Sequence, residues 1–408
     1  MAVSGAHPLT QRLPAVDGLR GVAILLVMAL HFVGQYDVAN PSSSLAAVAR
    51  AGWVGVDLFF VLSGYLITSI LLSTKERANY FAPFYWRRLL RIGPPYALVL
   101  VFFLYLATSH PTGSSPAFFA RQPYYWTLTT NWLALSIGGI GNIAYHMGWT
   151  WSLSVEEQFY LVWPALVRWT TVGILRRVLW LTVVLAFAAR VAFLLTGDPT
   201  KAAYTFTPCR LDALAAGALL AVHVRQGVLP RWLRYVGDAP IALWAGVAFL
   251  TYRVLLLLDP QALPHSVATR AIGFTFTAAV CTVALGGALA SPNGPLSRWC
   301  SWRPLRVVGK YSYALYLWHV TVNAFLYGVG IPRWVDNRTI GDLLYCVVAG
   351  AATLGIALVS WFFVEYPASQ LKGRFFTPPL TTPHPSPSSH RSGIGGTPAT
   401  SAPSQSTS

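Results

Sequence analysis

Apolar residues fall into eleven long stretches along this chain, and charged residues are concentrated in the short segments between them. A stretch of about 20 apolar residues is long enough to cross the hydrocarbon core of a bilayer as a helix. The pattern therefore predicts an all-α, polytopic transmembrane helix bundle. The stretches lie near 21–37, 53–73, 94–109, 123–138, 147–167, 178–196, 211–224, 239–258, 271–290, 312–329 and 343–363.

The fourth stretch is shorter and more polar than the others, because it contains three threonines and Asn131 and runs into the segment SIGGIGN. The distribution of basic residues decides whether it crosses the membrane. If it does not cross, and the N-terminus is cytoplasmic, most of the 29 lysines and arginines lie in cytoplasmic segments. We therefore expect about ten spans with both termini in the cytoplasm, and one re-entrant or surface helix within 118–145 on the outer face.

Composition excludes a soluble globular protein. Of the 408 residues, 55% are hydrophobic and 10% are charged, and the mean hydropathy is +0.52. The net charge of +16 does not indicate a nucleic-acid partner, because the basic residues follow the positive-inside rule. The four cysteines are scattered without any pair spacing, so we expect buried thiols and neither a disulfide framework nor a metal site.

The last part of the chain differs sharply in composition. From Phe375 onward the sequence is rich in Pro, Ser, Thr and Gly and has almost no apolar residues. Such a segment cannot bury enough apolar surface to fold. We expect a membrane-embedded domain over 1–374 and a disordered cytoplasmic tail over 375–408.

The first apolar stretch places a histidine inside a predicted span. Arg20 and His31 are eleven residues apart, which puts them within about 20° of each other on a helix and about 16 Å apart along its axis. Ionisable groups inside a membrane are costly and often functional, and a neutral imidazole can accept a proton. The alternative is a histidine satisfied by a backbone carbonyl. Asp17, one turn before Arg20, is a further candidate.

Two aspartates lie inside other predicted spans. Asp57 is early in the second stretch, and Asp212 opens the seventh beside Arg210. Each buried charge needs a partner or a water-filled cavity. For Arg210, with Asp212 or Arg253, we expect structural ion pairs that tie helices together.

The fifth stretch carries a polar stripe on an otherwise apolar helix. A carboxylate on this stripe can orient an imidazole and stabilise it after proton uptake. Glu156 is the candidate for this role with His31, and Glu157 is an adjacent carboxylate. The stripe consists of Ser152, Glu156 and Tyr160, with Gln158 one step off.

A cluster of arginines precedes the third apolar stretch, in the segment FYWRRLLRIGPP. Arg87 and Arg91 are four residues apart and share a helix face with Arg88 nearby. Guanidinium groups bind phosphate oxygens in bidentate fashion, which suits an anionic cofactor. The alternative is an anchor that binds lipid headgroups.

Seven motifs occur in order over residues 12–370, and together they resemble the acyltransferase 3 family, the membrane acyltransferases that include O-antigen and macrolide O-acyltransferases. The motifs are DGLRGVAILLVMALH, GVDLFFVLSGYLI, FYWRRLLRI, WTWSLSVEEQFYLVWP, RLDALAAGALLA, YSYALYLWH and FVEYP.

The resemblance implies transfer of an acyl group, usually acetyl, from cytoplasmic acyl-CoA to a hydroxyl of a carbohydrate or a natural product, in a bacterial cell membrane. The chemistry of the residues agrees with it: we expect His31 to act as general base, Glu156 or an adjacent carboxylate to stabilise the imidazolium, and Arg87, Arg88 and Arg91 to hold CoA phosphates. The family signatures fall on Arg20 and His31, on Arg87, Arg88 and Arg91, and on Trp151 to Glu156.

Several alternatives remain open at this point. Direct transfer is favoured over an acyl-enzyme because no serine or cysteine lies in an evident nucleophile motif, although an acyl-imidazole on His31 is also compatible. His319 in the tenth stretch can reach the same cavity or serve a structural role. A secondary transporter or exporter would also have many spans with buried charges, but its halves usually repeat, and we find no matching motif in 12–190 and 200–370.

Overall fold

The computed structural model describes residues 13–34, 44–197, 202–258, 266–329 and 337–371. Within these residues the regular elements are all helical and no strand occurs. The helices are α1 (Pro14–Gly34), α2 (Ser44–Thr74), α3 (Phe81–Ser109), α4 (Ser115–Ala120), α5 (Gln122–Trp126), α6 (Thr130–Ser136), α7 (Trp151–Trp169), α8 (Val172–Leu195), α9 (Ala202–Gln226), α10 (Trp232–Asp238), α11 (Ile241–Leu258), α12 (Thr269–Ala290), α13 (Pro295–Cys300), α14 (Arg303–Lys310), α15 (Ser312–Gly328) and α16 (Thr339–Gln370).

Eight helices of the described chain are long and apolar enough to cross a membrane: α1, α2, α3, α8, α9, α11, α12 and α16. Two more fill predicted stretches. Helix α7 has 19 residues, including two glutamates, and α15 has 17 residues. The predicted all-α polytopic bundle is confirmed.

The fourth apolar stretch does not form one long helix. It is divided into α5 and α6, and Leu128 between them has a φ of +53°. A leucine in this left-handed conformation is uncommon and interrupts a right-handed helix. Further along, the chain forms two 3₁₀ turns, Ile140–Asn142 and Ala144–Thr150, before α7 begins. This segment matches the prediction of a surface or re-entrant element.

Helices α2 and α9 form the tightly packed centre of the bundle. Gly64 of α2 faces the Leu214 carbonyl, and Gly217 of α9 faces the Val61 carbonyl. A Cβ atom at either glycine would lie only 2.0 Å or 1.9 Å from that oxygen. Small residues let helix backbones approach in this way inside membranes. Helix α1 packs against α2 on one side and against α14 and α15 on others.

The outer helices leave most of their apolar surface uncovered by protein. Within the apolar 18-residue segment of each helix, only 6% is buried by the bundle in α11 and 17% in α8, against 78% in α9. Exposed side chains such as Trp180, Leu181 and Leu185 therefore form the surface that the acyl chains of membrane lipids would cover. The four cysteines are free thiols, three of them buried.

Two buried ion pairs join helices of the bundle. Asp57 of α2 pairs with Arg210 of α9 at 2.7 Å, and Asp212 pairs with Arg190 of α8 at 2.8 Å. The expected pairing of Arg210 with Asp212 is wrong, because these neighbours lie on different sides of α9 and reach different helices. Arg253 is exposed on α11.

Helix α3 begins at Phe81, well before the apolar stretch at 94–109. The arginine cluster is therefore part of the helix and does not precede it. Residues 372–408 lie outside the described part of the chain, so the predicted boundary at 374 and the tail over 375–408 stay predictions.

Candidate active site

His31 lies in a wide turn near the end of α1. Residues Leu30–Gly34 form a π-helical turn, a local widening that is frequent at functional sites. The Nδ1 atom of the half-buried His31 ring lies 2.8 Å from the Val27 carbonyl oxygen. A carbonyl oxygen only accepts, so Nδ1 of the neutral ring carries the hydrogen and donates it. The lone pair of this ring is therefore on Nε2.

Helix α15 supplies the second wall of the site. The Nε2 atom of the fully buried His319 lies 3.3 Å from Nδ1 of His31, and the two rings meet edge to face with centroids 4.8 Å apart. One turn later, Asn323 Nδ2 donates to the His31 carbonyl oxygen at 2.8 Å. The structure thus brings His319, a candidate from the sequence, directly beside His31.

Arg20 lies toward the other end of α1. Its Nε and Nη2 atoms donate to the Ser312 hydroxyl at 3.3 Å and 3.1 Å. Ser312 and Asn323 are eleven residues apart on α15, the same separation as Arg20 and His31 on α1. The two helices therefore run parallel along this contact.

Glu156 of α7 is held by two hydroxyl groups. Ser63 donates to its Oε1 at 2.9 Å, and Tyr160 donates to its Oε2 at 3.0 Å. The carboxylate also interacts electrostatically with Arg88 and Arg20. The structure therefore brings Glu156 together with the arginines, and it brings His31 together with His319. Stabilisation of the imidazolium by Glu156 stays a prediction.

Three arginines from two helices converge beside the carboxylates. The Arg88 guanidinium lies 3.5 Å from the centre of the Tyr160 ring and 3.7 Å from the Glu157 carboxylate. Arg91, which is accessible, lies within electrostatic range of Arg20 and Arg88. Because like charges repel, this concentration of guanidinium groups is the arrangement expected of a site that binds an anion.

Arg87 is placed differently from the other two members of the predicted cluster. It is exposed, as Arg91 is, but it lies about 100° from Arg88 around α3. Arg88 and Arg91 are the two that interact electrostatically with the carboxylates of α7. A cavity of about 640 Å³ opens beside this pair and is lined in part by Tyr85, Trp86, Arg88, Glu157 and Tyr160.

The remaining candidates from the sequence lie elsewhere or play smaller parts. Asp57 and Asp212 are in the ion pairs of the bundle centre. Ser152 shares a hydrogen bond with the Tyr316 hydroxyl. Asp17 lies in the first turn of α1, within electrostatic range of Arg20. Among the described residues, no group of three His, Cys, Asp or Glu side chains is arranged to hold a metal ion.

Sequence reasoning missed three residues that shape the site: Ser63, Tyr316 and Asn323. Tyr316 donates to the Trp149 carbonyl at 2.7 Å, and Asn323 accepts from Tyr345 at 2.6 Å. A signal for two of them was present, because one face of α15 carries a polar stripe with steps of three and four residues, as a helix face requires. The stripe consists of Ser312, Tyr316, His319 and Asn323.

A bundle of long apolar helices that carries a histidine pair and an arginine cluster defines a multi-pass membrane protein with a polar site among its helices. The chain belongs to the acyltransferase 3 family, because the model of that family, described as an acyltransferase domain, matches residues 13–362. The resemblance seen in the motifs is thereby confirmed, and it favours an acyltransferase over a transporter.

Curated relatives are bacterial. The chain is 28% identical over 372 residues to the peptidoglycan O-acetyltransferase OatA of Listeria monocytogenes, covering 87% of this chain and 55% of that protein. It is 27% identical over 382 residues to the O-acetyltransferase OatA of Staphylococcus aureus, covering 87% and 57%. It is 28% identical over 383 residues to the putative peptidoglycan O-acetyltransferase YrhL of Bacillus subtilis, covering 87% and 54%.

The chain thus spans about half the length of the curated relatives it matches. No solved structure matches it.

Proposed function

We propose that this protein is an integral membrane O-acyltransferase that moves an acyl group, acetyl first of all, from acyl-CoA to a hydroxyl of a carbohydrate or a glycosylated natural product. The names of the relatives make peptidoglycan the first acceptor to test. The family and the long apolar helices support a place in the bacterial cell membrane. We propose that both termini are cytoplasmic.

The observation that carries this proposal is the hydrogen-bonding state of His31. Its Nδ1 hydrogen is directed at the Val27 carbonyl, so the ring presents Nε2 as a neutral base. A positioned imidazole is the commonest general base in enzymes. The bilayer interior disfavours an isolated charge and so favours the neutral, proton-accepting form.

The donor site is formed by the arginines. Arg88 and Arg91 bind the phosphates of CoA, with Arg20 adding a third positive charge close to them. Glu156 and Glu157 offset part of this charge when the donor is absent and keep the guanidinium groups oriented. The cavity beside Arg88 is the entry for the nucleotide end, and the pantetheine arm extends between the helices toward His31.

The transfer step follows from this arrangement. The acceptor hydroxyl oxygen attacks the thioester carbonyl carbon while His31 Nε2 takes the hydroxyl proton. The carbon–sulfur bond breaks, an ester forms, and CoA leaves as a thiolate. The imidazolium then returns the proton to the thiolate sulfur, which restores neutral His31 and balances the reaction. Glu156 favours the imidazolium through its negative charge.

The test is the variant His31→Gln, assayed with labelled acetyl-CoA and a panel of peptidoglycan fragments, other glycans and glycosylated macrolides, with products read by mass spectrometry. Glutamine keeps a neutral hydrogen-bonding group of similar reach but cannot act as a base. Because general-base assistance is worth on the order of 10²–10⁴-fold, we expect turnover to fall by that factor.

His223→Gln is the matched control. His223 of α9 is half-buried, and its Nδ1 lies 2.7 Å from the carbonyl four residues earlier, that of Leu219, as in His31. It lies outside the proposed site, so its replacement should leave turnover close to that of the parent protein. Turnover near the parent value in His31→Gln would refute the mechanism.

A further inference from the structure

His31 of α1 and His319 of α15 lie beside hydrogen-bond acceptors, and these determine which ring nitrogen of each histidine carries the hydrogen. His319 Nδ1 lies 2.7 Å from the Tyr316 carbonyl oxygen. Since that oxygen only accepts, Nδ1 of His319 carries a hydrogen, and the neutral ring has its lone pair on Nε2. This lone pair is directed at His31 Nδ1, 3.3 Å away.

The Nδ1 hydrogen of His31 therefore lies between two acceptors. One is the Val27 carbonyl oxygen at 2.8 Å, and the other is His319 Nε2 at 3.3 Å. The opposite tautomer of His31 would place a lone pair against both acceptors at once. Two acceptors on one side of the ring thus assign the hydrogen to Nδ1 and the basic lone pair to Nε2.

The neighbouring side chains hold His319 in place as this acceptor. His319 is fully buried, and its ring lies against Trp149 and Tyr316 at centroid distances of 6.1 Å and 5.5 Å. Asn323, one turn along α15, donates to the His31 carbonyl. Helix α15 therefore contacts both the ring and the backbone of His31, which fixes the position of the imidazole as well as its tautomer.

We propose that His319 is a positioning residue for His31. It holds the Nδ1–H tautomer before the reaction and accepts the stronger Nδ1–H hydrogen bond of the imidazolium after Nε2 has taken the acceptor proton. No proton moves onto His319, so the balance of the transfer step is unchanged. This inference rests on the proposed general-base role of His31.

The first test uses the unaltered full-length protein. With ¹⁵N-labelled histidine side chains, the nitrogen chemical shifts distinguish the two tautomers, and loss of one signal set in His31→Gln and another in His319→Gln assigns them. We expect protonated Nδ1 and unprotonated Nε2 for both rings at neutral pH. A His31 ring with its hydrogen on Nε2 would overturn the inference without requiring any variant to be active.

The second test compares two variants of His319. Glutamine can place an acceptor oxygen close to the position of Nε2, whereas phenylalanine keeps the ring volume and removes the acceptor. We expect His319→Phe to lower kcat by on the order of 10–100-fold, the range found when partners that orient metal-bound histidines are removed, with the KM for acetyl-CoA unchanged. His319→Gln should recover most of the loss.

A purely structural role predicts a different pattern. In that case both variants would lose thermal stability, and kcat and the amount of folded protein would fall together. Unchanged kcat in a folded His319→Phe protein, with His31→Gln inactive, would refute the positioning role and leave the proposed function standing. Turnover near the parent value in His31→Gln would refute the general-base role of His31, on which this inference rests, while still showing acyl transfer.

Discussion

The arginines on the first turns of α3 divide into two groups at the level of single residues. Arg88 and Arg91 interact electrostatically with the carboxylates of α7 and with Arg20, whereas Arg87 lies about 100° from Arg88 around the helix. Only the first two lie where several guanidinium groups can bind one polyphosphate.

The double variant Arg88→Ala/Arg91→Ala should weaken binding of acyl-CoA far more than binding of the acceptor. A hydrogen bond to a charged group is worth about 1.5–3 kcal/mol, so the apparent constant for acetyl-CoA should rise at least about tenfold. Titration of the purified protein with acetyl-CoA measures it, and Arg87→Ala should have the smaller effect.

Arg303→Ala/Arg306→Ala is the charge-matched comparison, because both arginines are exposed on α14. It removes the same formal charge outside the cluster and should leave the acetyl-CoA constant within a few-fold of the parent value. If both double variants lost the same affinity for acetyl-CoA, the cluster would contribute only general positive charge and not a specific phosphate site.

Single residues show what the sequence could predict and what it could not. Local spacing identifies the stripe on α7, and the same rule applied to α15 would have added Tyr316 and Asn323 beside His319. Spacing does not identify partners far apart in the chain. Arg210 bonds Asp57, 153 residues away, because pairing depends on how helices pack and not on neighbourhood in the sequence.

At the level of elements, the contact between α2 and α9 depends on two glycines that face backbone carbonyls. Gly64→Ala would force a Cβ to within 2.0 Å of the Leu214 oxygen, so the helices must separate. Overpacking of this kind typically costs about 1–3 kcal/mol. We expect a lower unfolding temperature in detergent, measured by fluorescence or circular dichroism.

Gly246→Ala provides the control for that experiment. Gly246 lies inside α11, and a Cβ there would meet nothing within 4 Å. Alanine is also the better helix former, so stability should stay equal or rise. If Gly64→Ala and Gly246→Ala unfold at the same temperature, close backbone approach does not stabilise this contact.

Hydropathy predicts the long helices well but misses parts that are not uniformly apolar. Helix α3 begins at Phe81 with amphipathic turns, whereas the apolar stretch found in the sequence starts only at Pro94. The break at Leu128 is equally hard to anticipate, since a leucine with positive φ has no sequence signal.

At the level of the whole molecule, the parallel contact of α1 with α15 limits the topology. Arg20 meets Ser312 at one end and His31 meets His319 at the other. Two spans of one chain can be parallel only if an odd number of spans lies between them. Seven long helices lie between α1 and α15 when α5 and α6 do not cross, which agrees with ten spans and with both termini on one side.

A reporter fused after Arg177 tests this arrangement in cells. We expect cytoplasmic activity, because the positive-inside rule places the segment between α7 and α8 in the cytoplasm. A fusion after Thr112 is the control, since that position is extracytoplasmic whether or not the fourth stretch crosses. Extracytoplasmic activity of the Arg177 fusion would instead make residues 123–138 a true span.

The separation of Arg20 from His31 along α1 also sets how long the acyl donor must be. Eleven residues of helix span about 16 Å, so a donor held by phosphate at one end must carry its carbonyl on a long flexible arm to meet the imidazole at the other. An activated acyl group attached directly to phosphate is too short to occupy both ends at once. With the donor site proposed above, the length of the helix therefore selects a class of donor before any contact with the acyl group is made.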